Sequence, residues 1–261
     1  MTDDCQKIAD MLDRIRVADP DCRFFGVDTH RYRFGPCLTD NDLQSIEAHY
    51  GITLPDDYRR FLLEIGNGGA GPGYGLQRFG FVESADEIPT ATANGPMRVV
   101  QTTRNGTLSR QNLYDDSGHE VDPMDISFFA TIKPLARDGD SGPGIPSQPF
   151  PLSSPFDEWA EECDGDWSDI DPSIGTWNLA DYGCAMSARL VLNGPFGGQV
   201  WFYDPNSGSF TPFNAKANIH YVEAEEVDPA DLDSVFTFSA WYVHWLNHAI
   251  AQVPAEYEDA G

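Results

Sequence analysis

Helical patterns on either side of a run of short strands predict an α+β fold, a single domain whose mostly antiparallel or mixed β-sheet is packed by helices. Three observations point there. Two amphipathic helical patterns stand back to back over residues 39–66. Strand-like runs divided by tight turns fill residues 190–213. An aromatic-rich helical pattern then closes residues 234–253.

The first element is an amphipathic helix. Ile8, Met11, Leu12 and Ile15 recur at helical spacing behind the capping cluster Thr2-Asp3-Asp4, and Asp19-Pro20 ends the run. A short aromatic stretch follows with Phe24, Phe25, Tyr32 and Phe34. At Thr39 the signal sharpens. Thr39 serves as N-cap, Asp42 reaches back as an imperfect capping box, and Leu43, Ile46 and Tyr50 share one face. Gly51 suits the left-handed C-terminal position. The next helix follows at once, with Pro55 in its first turn and Asp56 and Asp57 against its positive end. Its predicted buried stripe is Tyr58, Phe61, Leu62 and Ile65, and Gly66 is expected to stop it.

Beyond the loop NGGAGPGYG at residues 67–75 the pattern loosens. Residues 83–135 read as a mixed, mostly β or irregular elaboration, with strand-like pieces at 97–100 and 106–108 and turn signals at Asn105-Gly106 and Ser117-Gly118. The Gly/Pro/Ser-rich stretch 138–155 reads as an ordered surface crossing or a flexible connection. Strands are then expected at 190–192, 200–203 and 210–213 as an antiparallel meander. In the closing helix Phe238, Trp241, Trp245 and Ile250 supply an apolar face that Tyr242, Leu246 and Ala249 widen.

Composition narrows the function. The 261 residues hold 42 Asp and Glu against 16 Lys and Arg, a net charge of −26. Hydrophobic residues at 41% exclude a disordered chain. Phosphate binding needs clustered Lys and Arg, so a broad nucleic-acid surface is excluded, and anionic membranes are repelled. The same field attracts basic proteins and speeds their encounter by ~10–1000-fold at low salt; the plainer alternative is that it keeps the chain soluble. No apolar run approaches the ~20 residues that cross a bilayer. The opening MTDDCQKIAD has no apolar signal core, which predicts a cytoplasmic protein. Five dispersed cysteines without a CxxC pair read as reduced thiols.

Chemical motifs are weak. The glycine loop invites a phosphate cradle, but it follows a helix and no Lys-Ser/Thr closes it, so a structural turn needing positive φ at several residues is the better account. His244 and His248 are four apart, yet Trp245 stands where a zinc protease needs Glu, and no third ligand is evident. The stretch DGDWSDID lacks the Gly and Glu that shape a calcium loop and reads as a solvated acidic loop. No GxSxG elbow is present. The expectation is no catalytic residue, no metal and no cofactor.

The stretch YRFGPCLTDNDLQSIEAHYGITLPDDYRRFLLEIGNGGAGPGYG resembles the SUKH superfamily, specifically its Smi/Knr branch. Gly51, Leu54, Pro55, Asp57, Tyr58, Phe61, Asn67, Gly68 and Gly69 match that branch's helix, Gly-Ile/Val-x-Leu-Pro-x-Asp-Tyr junction, second helix and Asn-Gly-Gly loop. GTWNLADYGCAMSARLVLNGPFGGQVWFYD is similar to its sheet segment and SAWYVHWL to its closing helix, whereas residues 83–135 carry no family pattern. The resemblance covers most of residues 31–250, with the N-terminal helix as a local addition; the expected organisation is that helix over 1–20, a SUKH-like domain over 21–252 with an elaboration at about 83–135, and a tail over 253–261.

It also implies a non-catalytic α+β scaffold. Bacterial relatives are implied to be immunity proteins that bind a polymorphic toxin, many of them nucleases; fungal relatives are implied to regulate cell-wall processes through protein contacts. The motif residues themselves have caps, turns and core as their roles. Expected partners are a cognate toxin protein with a basic surface, and neither nucleic acid nor membrane. The carboxylates Glu161, Glu162, Asp164, Asp166, Asp169 and Asp171 are the candidate partner-binding residues. Two alternatives stand beside this: a regulatory or scaffold protein that meets no toxin, and an enzyme or small-ligand binder with a cleft near Tyr74 and Trp201.

Overall fold

The computed structural model describes residues 3–80, 87–92, 95–100, 103–104, 107–108, 113–114, 146–152, 174–214 and 235–252. Helix α1 spans Asp3–Ala18 and buries Ile8, Leu12 and Ile15 in the same core as the later helices. A four-residue helix α2, Val27–His30, lies inside the aromatic stretch, where no helix is predicted. Its period is too short to leave a hydrophobic pattern. Instead Gly26 (φ 74°) introduces it and Arg31 (φ 48°) closes it in left-handed conformations.

Helix α3, Asp40–Tyr50, carries the expected box. The Asp42 amide donates to Thr39 Oγ1 at 3.2 Å, the Thr39 amide donates to Asp42 Oδ2 at 3.0 Å, and Gly51 ends the helix at φ 67°. Helix α4 spans Asp56–Glu64 and is tied back to α3 through Glu47. That carboxylate accepts from the Leu54 amide at 2.9 Å and pairs with the Arg59 guanidinium. Tyr58, Phe61 and Leu62 are buried as predicted. Three local expectations are corrected: Pro55 stands at the N-cap, the helix ends at Glu64, and Ile65 is only half-buried. Gly66 is not in the left-handed region. A Cβ there would stand 2.6 Å from Phe34 Cβ, so close packing and not helix termination demands glycine.

Residues 87–114 contribute strands β1 (Glu87–Thr92), β2 (Gly95–Val100), β3 (Thr103–Arg104), β4 (Thr107–Leu108) and β5 (Leu113–Tyr114). They pair antiparallel as β1-β2-β5 and β3-β4, so the β character expected of this elaboration is present.

The main sheet has the order β6-β7-β8-β9, built from Thr176–Gly183, Met186–Val191, Val200–Asp204 and Ser209–Pro212. All its pairs are antiparallel, the predicted meander. Side chains alternate between its faces. Ala188, Leu190, Val200 and Phe202 face the helices; Val191, Trp201 and Phe210 face away. Helix α5, Phe238–Ala251, packs on the first face, where Phe238 meets Tyr58 at 4.6 Å and Phe61 at 5.0 Å between ring centres.

The second face is covered as well. Residues 146–152 form a strap whose Phe150 and Leu152 are buried with Trp201, Phe196 and Phe210, and the Phe150 and Trp201 ring centres are 5.1 Å apart. Part of the Gly/Pro/Ser-rich stretch is therefore ordered crossing, carried by two apolar residues that its composition hid.

Candidate interaction surface

The glycine loop is a structural extension of the sheet. Gly68, Gly69, Gly73 and Gly75 all have positive φ, as the turn reading requires. Bridges Phe34↔Gly69, Gly69↔Leu76 and Leu76↔Ala180 carry strand pairing outward from β6. Register shifts bulge β6 between Asn178 and Ala180 and between Asp181 and Gly183. The carbonyls of Leu179 and Asp181 there accept from the amides of Gln77 (2.6 Å) and Tyr74 (2.8 Å).

Buried polar groups hold this loop. Asn67 Oδ1 accepts from the Phe79 amide at 2.7 Å, and its Nδ2 donates to the Phe79 carbonyl at 2.9 Å, so one side chain stands in for a strand neighbour. The Tyr242 hydroxyl on α5 donates to the Ala70 carbonyl at 2.8 Å. His30 sits between Tyr32 and Trp245, its Nδ1 accepting from the Tyr32 amide at 3.1 Å. Burial pushes this imidazole down to about 4, against a smaller upward pull from the Gly71 backbone. It is neutral near pH 7.

Asp57 links two helices. Its Oδ1 accepts from the Tyr58 amide at 2.8 Å and its Oδ2 from the Ser239 amide at 2.9 Å. Thr237, the N-cap of α5, makes no side-chain cap of its own, so Asp57 supplies that cap from 182 residues away in sequence.

One end of the main sheet is different in character. The β6–β7 turn places Cys184 (φ 50°) and Ala185 (φ 68°) in the left-handed region, at a cost of about 1–2 kcal/mol each. The Asn206 amide group, from the β8–β9 turn, donates to the Cys184 carbonyl at 2.7 Å. Burial alone would raise the Asp204 carboxyl, but donors from Asn206 and Ser207 outweigh it and hold it below the usual carboxylate range. Beside the β6–β7 turn, against Gly183, stands Tyr74, whose ring centre is 5.2 Å from that of Phe25. Both rings are exposed.

The remaining predicted residues separate. Glu161, Glu162, Asp164, Asp166, Asp169 and Asp171 lie outside the described residues. The supposed cleft near Tyr74 and Trp201 is not formed: Tyr74 is at the exposed end, while Trp201 is sealed behind the strap among Phe150, Phe196 and Phe210. His244 packs on Phe236 at 4.9 Å, and burial lowers its basicity first, the neighbouring His248 second. Burial raises the Cys22 and Cys37 thiols, with Asp19 adding to the effect at Cys22, which disfavours the nucleophilic thiolate. Among the described residues no group of three or more His, Cys, Asp or Glu side chains is placed to hold a metal ion, and no helix is long and apolar enough to cross a membrane.

Sequence reasoning missed the Phe25–Tyr74 pair. Each ring is an ordinary aromatic in its own stretch, and only the fold brings them together at the surface.

The described residues thus form an α+β scaffold with an exposed ring pair and two turns at one end of its sheet. The sequence model of the SMI1 / KNR4 family (SUKH-1) matches residues 37–222, and the chain belongs to that family. Membership supports a protein-interaction module of the immunity or Smi/Knr type. No curated protein and no solved structure matches the chain significantly.

Proposed function

We propose that this chain is a non-catalytic immunity protein that neutralises a cognate toxin by binding it directly. Family membership is the observation that carries the reading. The net charge of −26 adds the chemistry of the partner: a nuclease-type toxin presents a basic groove for phosphate, and an acidic protein fits it as a surrogate. Glu161, Glu162, Asp164, Asp166, Asp169 and Asp171 form the electrostatic part of that contact in this proposal. They follow the ordered strap in sequence.

Co-expression tests the reading. The protein encoded beside this chain is expected to stop growth alone and to be harmless when both are made. The two are expected to elute together from a sizing column and to separate as salt rises. A neighbour that is harmless alone, with housekeeping proteins bound instead, would favour the regulatory alternative. Turnover of a small substrate by the purified chain would overturn both.

A further inference from the structure

We propose that the Phe25–Tyr74 ring pair is the apolar anchor of the partner interface and receives a basic protein segment that presents an apolar side chain beside Lys or Arg. The inference rests on the protein-binding reading above and adds where the contact is made. Among the described residues three large hydrophobic side chains are exposed: Val17 at 74%, Phe25 at 47% and Tyr74 at 44%. Single exposed apolar residues are ordinary on any protein. Here two of the three touch each other.

The fold builds the pair onto a stiff base. A Cβ at Gly26 would stand 2.0 Å from the Gly73 carbonyl oxygen, so the residues after Phe25 and before Tyr74 lie backbone against backbone. Gly183 leaves room for the Tyr74 ring, since a Cβ there would meet Cε2 at 3.2 Å. The Tyr74 amide donates to the Asp181 carbonyl on β6. Rings held this way lose little freedom when a partner docks, which favours affinity.

Charge names the occupant. Exposed Asp28 lies three residues beyond Phe25, the carbonyl of half-buried Asp181 accepts the Tyr74 amide, and half-buried Asp204 stands at the β8–β9 turn that Asn206 ties to Cys184. Two exposed cations are near in sequence, Arg23, which is paired with Asp21, and Arg31. The chain as a whole is strongly negative. Aromatic faces also attract Lys and Arg directly. A basic segment with an apolar tip meets all three features, whereas a nucleic acid would be repelled.

The rings and the carboxylates then act on different rates. Long-range charge governs association, and a desolvated anchor governs dissociation. Binding kinetics of the full chain with the toxin domain it protects against, held as an inactive variant, separates them. Phe25→Ser and Tyr74→Ser are each expected to speed dissociation by about tenfold or more and to leave association within about twofold. Tyr74→Phe and Val17→Ser are expected to behave as wild type. Ring variants that dissociate at the wild-type rate, or Val17→Ser matching their effect, would overturn the proposal. If wild type itself forms no complex, the protein-binding reading falls and takes this one with it; a wild-type complex indifferent to both rings sinks the anchor alone. Should a serine variant fail to fold, a photo-crosslinking residue at 25 or 74 is expected to capture the toxin domain, and capture at position 17 instead would count against the anchor.

Discussion

Asn67 shows how a conspicuous motif residue turns out to be architectural. Its side chain satisfies both backbone groups of Phe79 in the interior, so Asn67→Ala leaves two buried polar groups unpaired. The expected loss is about 2–4 kcal/mol in urea unfolding, larger than for deletion of an exposed amide. Asp57→Ala removes the remote cap of α5 and is expected to cost about 1–2 kcal/mol, with Asp57→Asn recovering part of it. His30 gives a pH signature. Its folded-state value of about 4 lies below the 6.5 of a free imidazole, so the unfolded chain binds the proton first as pH falls. Its contribution is complete above about pH 6.5 and is lost on acidification towards 4, to the extent of roughly 3 kcal/mol. Unfolding curves between pH 7 and 5 are expected to show that slope, and His30→Gln to flatten it.

The helices were readable because their information is local. The Thr39 box, Gly51 and the Tyr58-Phe61-Leu62 stripe follow from spacings of three and four residues, and each stands where the spacing puts it. Phe61→Ala, which removes a ring that touches both Phe238 and Tyr242, is expected to cost about 3–5 kcal/mol in thermal or urea unfolding. The strap at 146–152 was harder, because Gly, Pro and Ser dominate its stretch and its apolar contact with β7, β8 and β9 comes from Phe150 and Leu152. Phe150→Ala is expected to raise hydrogen exchange in residues 146–152 well before α4 and α5 respond, since the second core is separate from the first. Helix α2 and the end of α4 escaped prediction for a related reason: close approaches at Gly26 and Gly66, between segments distant in sequence, decide the backbone there.

Charge acts on the molecule as a whole. With −26 spread over 261 residues, self-repulsion opposes the compact state, while the same field draws a basic partner in. Salt screens both. Raising ionic strength from about 10 mM to about 150 mM is therefore expected to increase the thermal midpoint of the isolated chain and to slow its association with a basic toxin domain.

Amphipathic period, capping residues and turn signals are written in neighbouring residues, and from them came the helix pair, the meander, the closing helix and the family. Burial of Trp201 behind the strap, capping of α5 by Asp57 and the meeting of Phe25 with Tyr74 were decided by the folded chain alone. Each joins segments far apart in sequence, and the energy of such contacts depends on distances that no local pattern encodes.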